Sequence, residues 1–319
     1  MILNFDNKNL LKVPKGPRVF QLPPSSDFAI DFVKGLLSRF EKDVLKTYPE
    51  LLSRVRILTS NKRSARRIKE VLQDFGVIIL PKITQVDDLE EFFSETIIGE
   101  NFNHEFELKA PLISKLERFL ILEGIIREIK QVEYTSIVKN SSFDLADSLG
   151  NLIDEINTSN VNLDDLEKII SEDLSQHWQL SLDLMKKVIL GYSEILSKSG
   201  YADKNIKYIR QVNALSSHWE LEQYKQPLLI VGSTGSQYAT ANLMRAVSKL
   251  PQGFVILPGL DKHLTKRAWE VLTPDHPQYG FLSLAQSWGL SGQTHNEIID
   301  APVWFEAPTS DKKLAIRAQ

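Results

Sequence analysis

The pattern of apolar and polar positions divides the chain into three stretches. Near the start, short apolar runs alternate with amphipathic segments. Arg18–Leu22 is a strand run that breaks at Pro23-Pro24-Ser25-Ser26-Asp27. Phe28, Phe32, Leu36 and Phe40 then recur at helical spacing, with Ser26 or Asp27 placed to cap that helix. Val55–Leu58 predicts a second strand. Ala65, Ile68, Leu72 and Phe75 predict the apolar face of a following helix, and Val77–Leu80 a third strand that stops at Pro81. From about residue 108 to 225 strand signals nearly vanish. Runs such as Leu112/Leu116/Phe119/Leu120, Leu145/Leu149/Leu152/Ile156 and Leu180/Leu184/Val188/Tyr192 predict five or six helices. Alternation returns with the strands Pro227–Val231 and Phe254–Leu257, separated by a helix carrying Leu243, Val247 and Leu250.

Strand, helix, strand grammar predicts an α/β protein with a parallel sheet. The helical block interrupts it. The expected organisation is a leader over 1–17 and a discontinuous α/β domain over 18–107 plus 226–310. An inserted helical subdomain covers 108–225, and the start of a further segment covers 311–319, where Asp311–Gln319 stops as a helix begins.

Charge changes the picture locally. The net charge is −3, so the chain is no general polyanion binder. Yet Arg54 to Lys69 holds seven Lys/Arg and no Asp or Glu. Lys62, Arg66 and Lys69 share one face of the predicted helix, with Arg63 and Arg67 beside them. Clustered cations of this kind suit the phosphates of a nucleic-acid backbone, and equally a solvated helix covering a sheet. There are no cysteines, which excludes disulfides, thiolate nucleophiles and cysteine-held zinc or iron–sulfur sites. No run of about 18 apolar residues is present, so no membrane partner is expected and the chain is placed in the cytoplasm.

Candidate chemistry is sparse. Gly232-Ser233-Thr234-Gly235-Ser236 lies between a strand and a helix, where backbone N–H groups and hydroxyls could hold a phosphate. It lacks the Gly-Lys-Ser/Thr ending of a P-loop. The alternative is a tight strand-to-helix turn with Ser236 or Thr240 helping to cap. The first strand-to-helix turn has two prolines and no Gly-Lys pair, and Gly232-Ser233 follows the 227–231 strand where an ATPase needs acidic magnesium ligands. Both halves of an ATP site are missing. The six histidines, His104, His177, His218, His263, His276 and His295, have no metal-pair spacing. The sequence calls for no catalytic residue, metal or cofactor.

Several segments taken together resemble a known family. Thr59-Ser60-Asn61-Lys62-Arg63-Ser64-Ala65-Arg66 resembles the Thr-Phe-Thr-Asn-Lys segment with which UvrD-like helicases touch single-stranded DNA. Leu22-Pro23-Pro24 precedes it, and His177-Trp178, Gly232–Ser236, Leu257-Pro258-Gly259-Leu260-Asp261 and His276-Pro277-Gln278-Tyr279-Gly280 follow in order. The set is similar to the AddB subunits of bacterial double-strand-break repair helicase–nucleases, especially the alphaproteobacterial type. This resemblance implies a degenerate RecA-like helicase domain with an inserted helical subdomain, without ATPase activity of its own. It implies DNA contact through Thr59, Asn61, Lys62, Arg63, Arg66 and Arg67, to single-stranded or tailed duplex DNA, and docking with an AddA-type helicase–nuclease partner. Ser60 stands near the place of the helicase's base-stacking aromatic, which leaves backbone contact by the cations. Two other readings remain open: an enzyme binding a phosphate or nucleotide ligand at Gly232–Ser236, and a structural interaction module.

Overall fold

A computed structural model describes residues 9–14, 18–90, 92–93, 110–132, 141–159, 176–221, 224–289, 298 and 300–305. Most of the expected leader, the segment 311–319, His104, His295 and the side chains of His177 and Trp178 lie outside the described residues. The chain forms two compact units, one from residues 1–97 and 212–319 and one from 98–211.

The first unit is an α/β layer structure around a five-stranded, all-parallel sheet, consistent with a RecA-like fold. The strands are β1 (Val19–Leu22), β2 (Arg56–Thr59), β3 (Lys82–Gln85), β4 (Leu228–Val231) and β5 (Gly253–Pro258), in spatial order β1-β5-β4-β2-β3. Central strands covered on both faces need continuous apolar runs, and β4 is buried at every position. On one face lie helices α1 (Phe28–Ser38) and α2 (Lys62–Asp74). Their Phe32, Leu36, Ile68 and Leu72 pack with Phe20, Ile57, Leu229, Val231, Phe254 and Ile256 of the strands. Helix α7 (Tyr238–Lys249) packs on β4, β5 and helix α8 (Tyr279–Trp288), and Trp288 Nε1–H donates to Ala241 O at 2.8 Å.

Residues 302–304 close the outer edge of β1. Gln21 N–H donates to Pro302 O and Trp304 N–H to Gln21 O, each at 2.9 Å. This pairing covers an edge that would otherwise expose its backbone. Trp304 then inserts beneath α1, stacked on Phe32 with ring centroids 6.1 Å apart and lying edge-on to Phe20 and Phe254.

The third strand sits later than the apolar run predicts. Gly76 takes a left-handed backbone (φ 77°), Gly76 N–H donates to Gln73 O, and Val77 N–H donates to Leu72 O. This Schellman exit consumes the residues after α2. Val77 and Leu80 pack partly on the core while Ile78 is 87% exposed, and the strand begins only after Pro81. Phe75, expected on the apolar face, ends the helix at its C-cap and is exposed; Val71 is buried instead.

The second unit is helical. It holds α3 (Lys115–Val132), α4 (Ser142–Ser159), α5 (Gln176–Ser199) and the start of α6 (Lys204–Leu221). Leu122, Ile126, Leu149, Ile153, Val188 and Tyr192 form its core. A polar knot crosses this core. Arg118 grips Asp154 with two bonds (2.9 and 2.8 Å), and its Nε lies 3.3 Å from Asp203. Asp203 also accepts from Tyr192 OH at 3.0 Å, and Asn205 Nδ2–H donates to Asp154 at 2.7 Å. Burial first, and the Asp203 charge second, push the Tyr192 phenol well above its ordinary range.

Candidate nucleic-acid interface

Because every strand is parallel, the turns after β1, β2, β4 and β5 leave from one edge of the sheet. The candidate residues therefore gather there although they lie far apart in sequence. Asn61 caps α2: its Oδ1 accepts the Ser64 N–H at 2.8 Å. The first turn of α2 contains no acid and opens with Lys62 and Arg63, both exposed. Cations at a helix N-terminus oppose the macrodipole, so each costs the helix about 0.3–1 kcal/mol. An anion held at this end meets the same charges as attractions.

The remaining cations are not equivalent. Arg66 pairs with Glu70 at 2.9 Å across a solvated surface, a contact of little energetic weight. Arg67 reaches Asp27 Oδ2 at 3.6 Å. Asp27 meanwhile caps α1 by accepting from Ala29 and Ile30 N–H, both at 3.1 Å. Arg67 thus ties α2 to the β1 turn. Lys69 is exposed further along the helix. Arg54 and Arg56 stand at the start of β2, the opposite edge, where the Arg56 guanidinium lies 5.2 Å from the Phe92 ring centroid.

Thr59 is corrected by the structure. Its side chain is fully buried, and its hydroxyl lies 3.2 Å from Thr84 O and 3.3 Å from Asn61 O. The hydroxyl holds β2 to β3 and shapes the turn; it does not face a ligand. Ser60 Oγ, by contrast, accepts from Asn61 Nδ2–H at 3.2 Å and lies beside Gly232.

The Gly232–Ser236 turn is filled by protein. Gly232 and Gly235 have positive φ (76° and 64°), which an L side chain rarely adopts. A Cβ on Gly235 would fall 2.5 Å from Leu284 Cδ1, and one on Gly280 would fall 3.0 Å from Thr234. The Ser233 hydroxyl is spent accepting the Gly235 N–H at 3.2 Å. The residue at the helix N-cap is Gln237 rather than Ser236 or Thr240, and its side chain makes no cap bond. The close approach of Phe28 to Gly232 and of Leu284 in α8 to Gly235 explains these glycines without a phosphate.

The later motifs serve the same edge. Gln278 donates from Nε2 to Gly259 O (2.9 Å) and accepts the Asp261 N–H (3.0 Å), and His276 Nδ1 accepts the Gln278 N–H at 3.1 Å. These bonds clamp the turn after β5. The sequence marked Gln278 only within the His276–Gly280 motif, Arg67 only as a candidate contact and Asp27 only as a cap; the Gln278 clamp and the Arg67–Asp27 pair were not legible, because both join residues on separate elements. Among the described residues, no group of three or more His, Asp or Glu could hold a metal, and no helix is long and apolar enough to cross a membrane. Compared with known proteins, the chain matches no family model and no curated sequence.

Proposed function

We propose that this chain is the helicase-like, non-ATPase module of an AddB-type subunit acting in double-strand-break repair. It positions a single-stranded or tailed DNA backbone at the sheet edge, working in the cytoplasm with an AddA-type helicase–nuclease partner. One observation carries the reading: an exposed cationic face, Lys62, Arg63, Arg66 and Lys69, on a helix whose N-terminus faces outward without an acid in its first turn. The opposite face of that helix is anchored in the core by Ile68, Val71 and Leu72, so the cations ride on a rigid element. No bond chemistry belongs to this module; its mechanism is electrostatic positioning. The partner follows from the resemblance in sequence.

The test is anisotropy of a labelled single-strand-tailed duplex, titrated with the full chain across a salt series. Replacing Lys62, Arg63 and Arg66 by Ala should flatten the slope of log K against log salt by about 0.7 per lost phosphate contact, about 2 in all. An unchanged slope removes this face as the DNA site. Binding of the partner alone, with no DNA binding at low salt, would favour the interaction-module reading.

A further inference from the structure

A second cationic feature lies at the other edge of the sheet. A cleft of about 530 Å³ runs between the second half of α6 and the second half of α7, ending at Leu250–Pro251. Helix α7 runs back against β4 and β5, so its last turn is one helix length from the α2 edge. Twelve residues make that about 18 Å. The polar lining is Asn213, Ser216 and Trp219 from α6 with Asn242, Arg245 and Lys249 from α7. Helical spacing places each set of three on one face of its helix.

The chemistry of this lining is one-sided. Arg245 and Lys249 supply only donors, and so does the Trp219 indole; both asparagine amides and the Ser216 hydroxyl can donate as well. No acid is among the described lining residues, and no ion pair engages the Arg245 or Lys249 side chain among the described residues. Two donors there are orphaned: the Trp219 indole N–H and the Ser216 hydroxyl are buried without a partner among the described residues. Trp219 is 5% exposed and its ring is fixed against Phe92 and Tyr224. Buried donors of this kind are rare and need an account.

The α7 C-terminus works against an anion, with a partial charge of about −0.5. Two full positive charges outweigh it. The floor is also rigid: Leu250 N–H donates to Val247 O, and Gly253 N–H donates to Leu250 O. Gln252 adds three bonds, accepting from Leu10 and Leu11 N–H and donating to Lys225 O.

We propose that this cleft binds a phosphate group, with Arg245 and Lys249 neutralising it and Asn213 and Asn242 donating to its oxygens. A tetrahedral oxyanion suits a guanidinium fork beside an ammonium. The phosphate comes either from a small phosphoester or from a nucleic-acid backbone. The site stands independently of the α2 face.

Phosphorus NMR of inorganic phosphate titrated into the full chain, at constant ionic strength balanced with chloride, tests this. Saturable broadening is expected in the wild type and in Lys62→Ala/Arg63→Ala. Arg245→Ala/Lys249→Ala should weaken it at least about tenfold, the worth of one charge-assisted bond. Asn213→Asp should weaken it similarly by placing a carboxylate in the cleft. All these positions but Asn242 are exposed, so the fold survives their change. No saturable response in the wild type, or an unchanged one in the Arg245/Lys249 variant, overturns the proposal. Competitors then identify the source in the Lys62/Arg63 variant. Displacement by a short single-stranded oligonucleotide assigns a backbone phosphate, and displacement by AMP alone a small phosphoester. Displacement by neither assigns inorganic phosphate itself. Loss of DNA binding in the α2 variant with phosphate binding intact separates the two sites.

Discussion

Gly35 lies in the interior of α1, where alanine ordinarily stabilises a helix by about 1 kcal/mol. Here Gly35→Ala should do the reverse. The added Cβ would stand 2.3 Å from Trp304 Nε1 and 2.4 Å from its Cδ1. The indole has nowhere to go. Its N–H donates to Phe32 O at 3.0 Å, three aromatic rings surround it, and the Arg39 guanidinium lies 3.4 Å from its ring centroid. Arg39 is itself fixed by donating to Gly35 O and Trp304 O, both at 3.1 Å. Overpacking costs about 1–3 kcal/mol when neighbours can shift, and losing a buried Trp anchor costs about 3–5. After the helix-propensity gain, Gly35→Ala should destabilise the α/β unit by about 2–4 kcal/mol.

A double-mutant cycle isolates the clash from other effects. Trp304→Ala alone should cost about 3–5 kcal/mol. In that background Gly35→Ala has no indole to meet, so it should become neutral or stabilising by up to about 1 kcal/mol. Urea melts followed by far-UV circular dichroism measure all four proteins. If Gly35→Ala costs the same with and without Trp304, the account of how residues 302–304 lock the sheet edge is wrong.

Three further outcomes are expected. Asn61→Asp keeps the α2 cap and adds a favourable macrodipole term of a few tenths of a kcal/mol, yet should weaken DNA binding several-fold; wild-type affinity would exclude the α2 N-terminus as the contact. Because the folded Tyr192 phenol titrates above its unfolded value, its contribution is complete below about pH 10 and drains as pH rises further, by up to about 1.4 kcal/mol per unit. Thermal melts of Tyr192→Phe should fall less steeply than wild type above about pH 10, and parallel falls would refute this. Tyr224, raised by burial too, titrates alike in both proteins and cancels. Gly235→Ala combines a left-handed backbone with contact on Leu284, and should lower stability by about 2–4 kcal/mol in chemical melts; a neutral result would mean that α8 yields freely.

The α/β class was legible because β4 and β5 are buried on both faces and so read as unbroken apolar runs. Asp27 was legible as a cap because an N-cap is decided within three residues. What escaped depends on distant partners. Val77–Leu80 has the composition of a strand, but Gly76 ends α2 with a motif that consumes it. Thr59 has the chemistry of a contact residue, and only β3 alongside reveals that its hydroxyl turns inward. The compact units part at 211/212, inside α6, where the helical period continues unbroken and leaves no mark in the sequence. The Gly-Ser-Thr-Gly-Ser turn suggested a phosphate, yet Gly232 answers to Phe28 and Gly235 to Leu284, contacts that no local pattern encodes.

The sheet edge where α/β proteins ordinarily bind ligands is occupied here by the protein's own groups. Pro23 and Pro24 offer no N–H after β1, α8 packs into the turn after β4, and Gln278 clamps the turn after β5. The turn after β2 differs from these three: it opens a helix with exposed Lys62 and Arg63, where stability alone favours Asp or Glu. The two cations together forgo about 1 kcal/mol of helix stability. A single backbone phosphate at that end would recover it, since each charge-assisted bond is worth about 1.5–3 kcal/mol. An edge whose turns after β1, β4 and β5 are filled or clamped by protein, and whose α2 end is electrostatically unfavourable without an anion, suits a strand that lies across it better than a substrate that enters it.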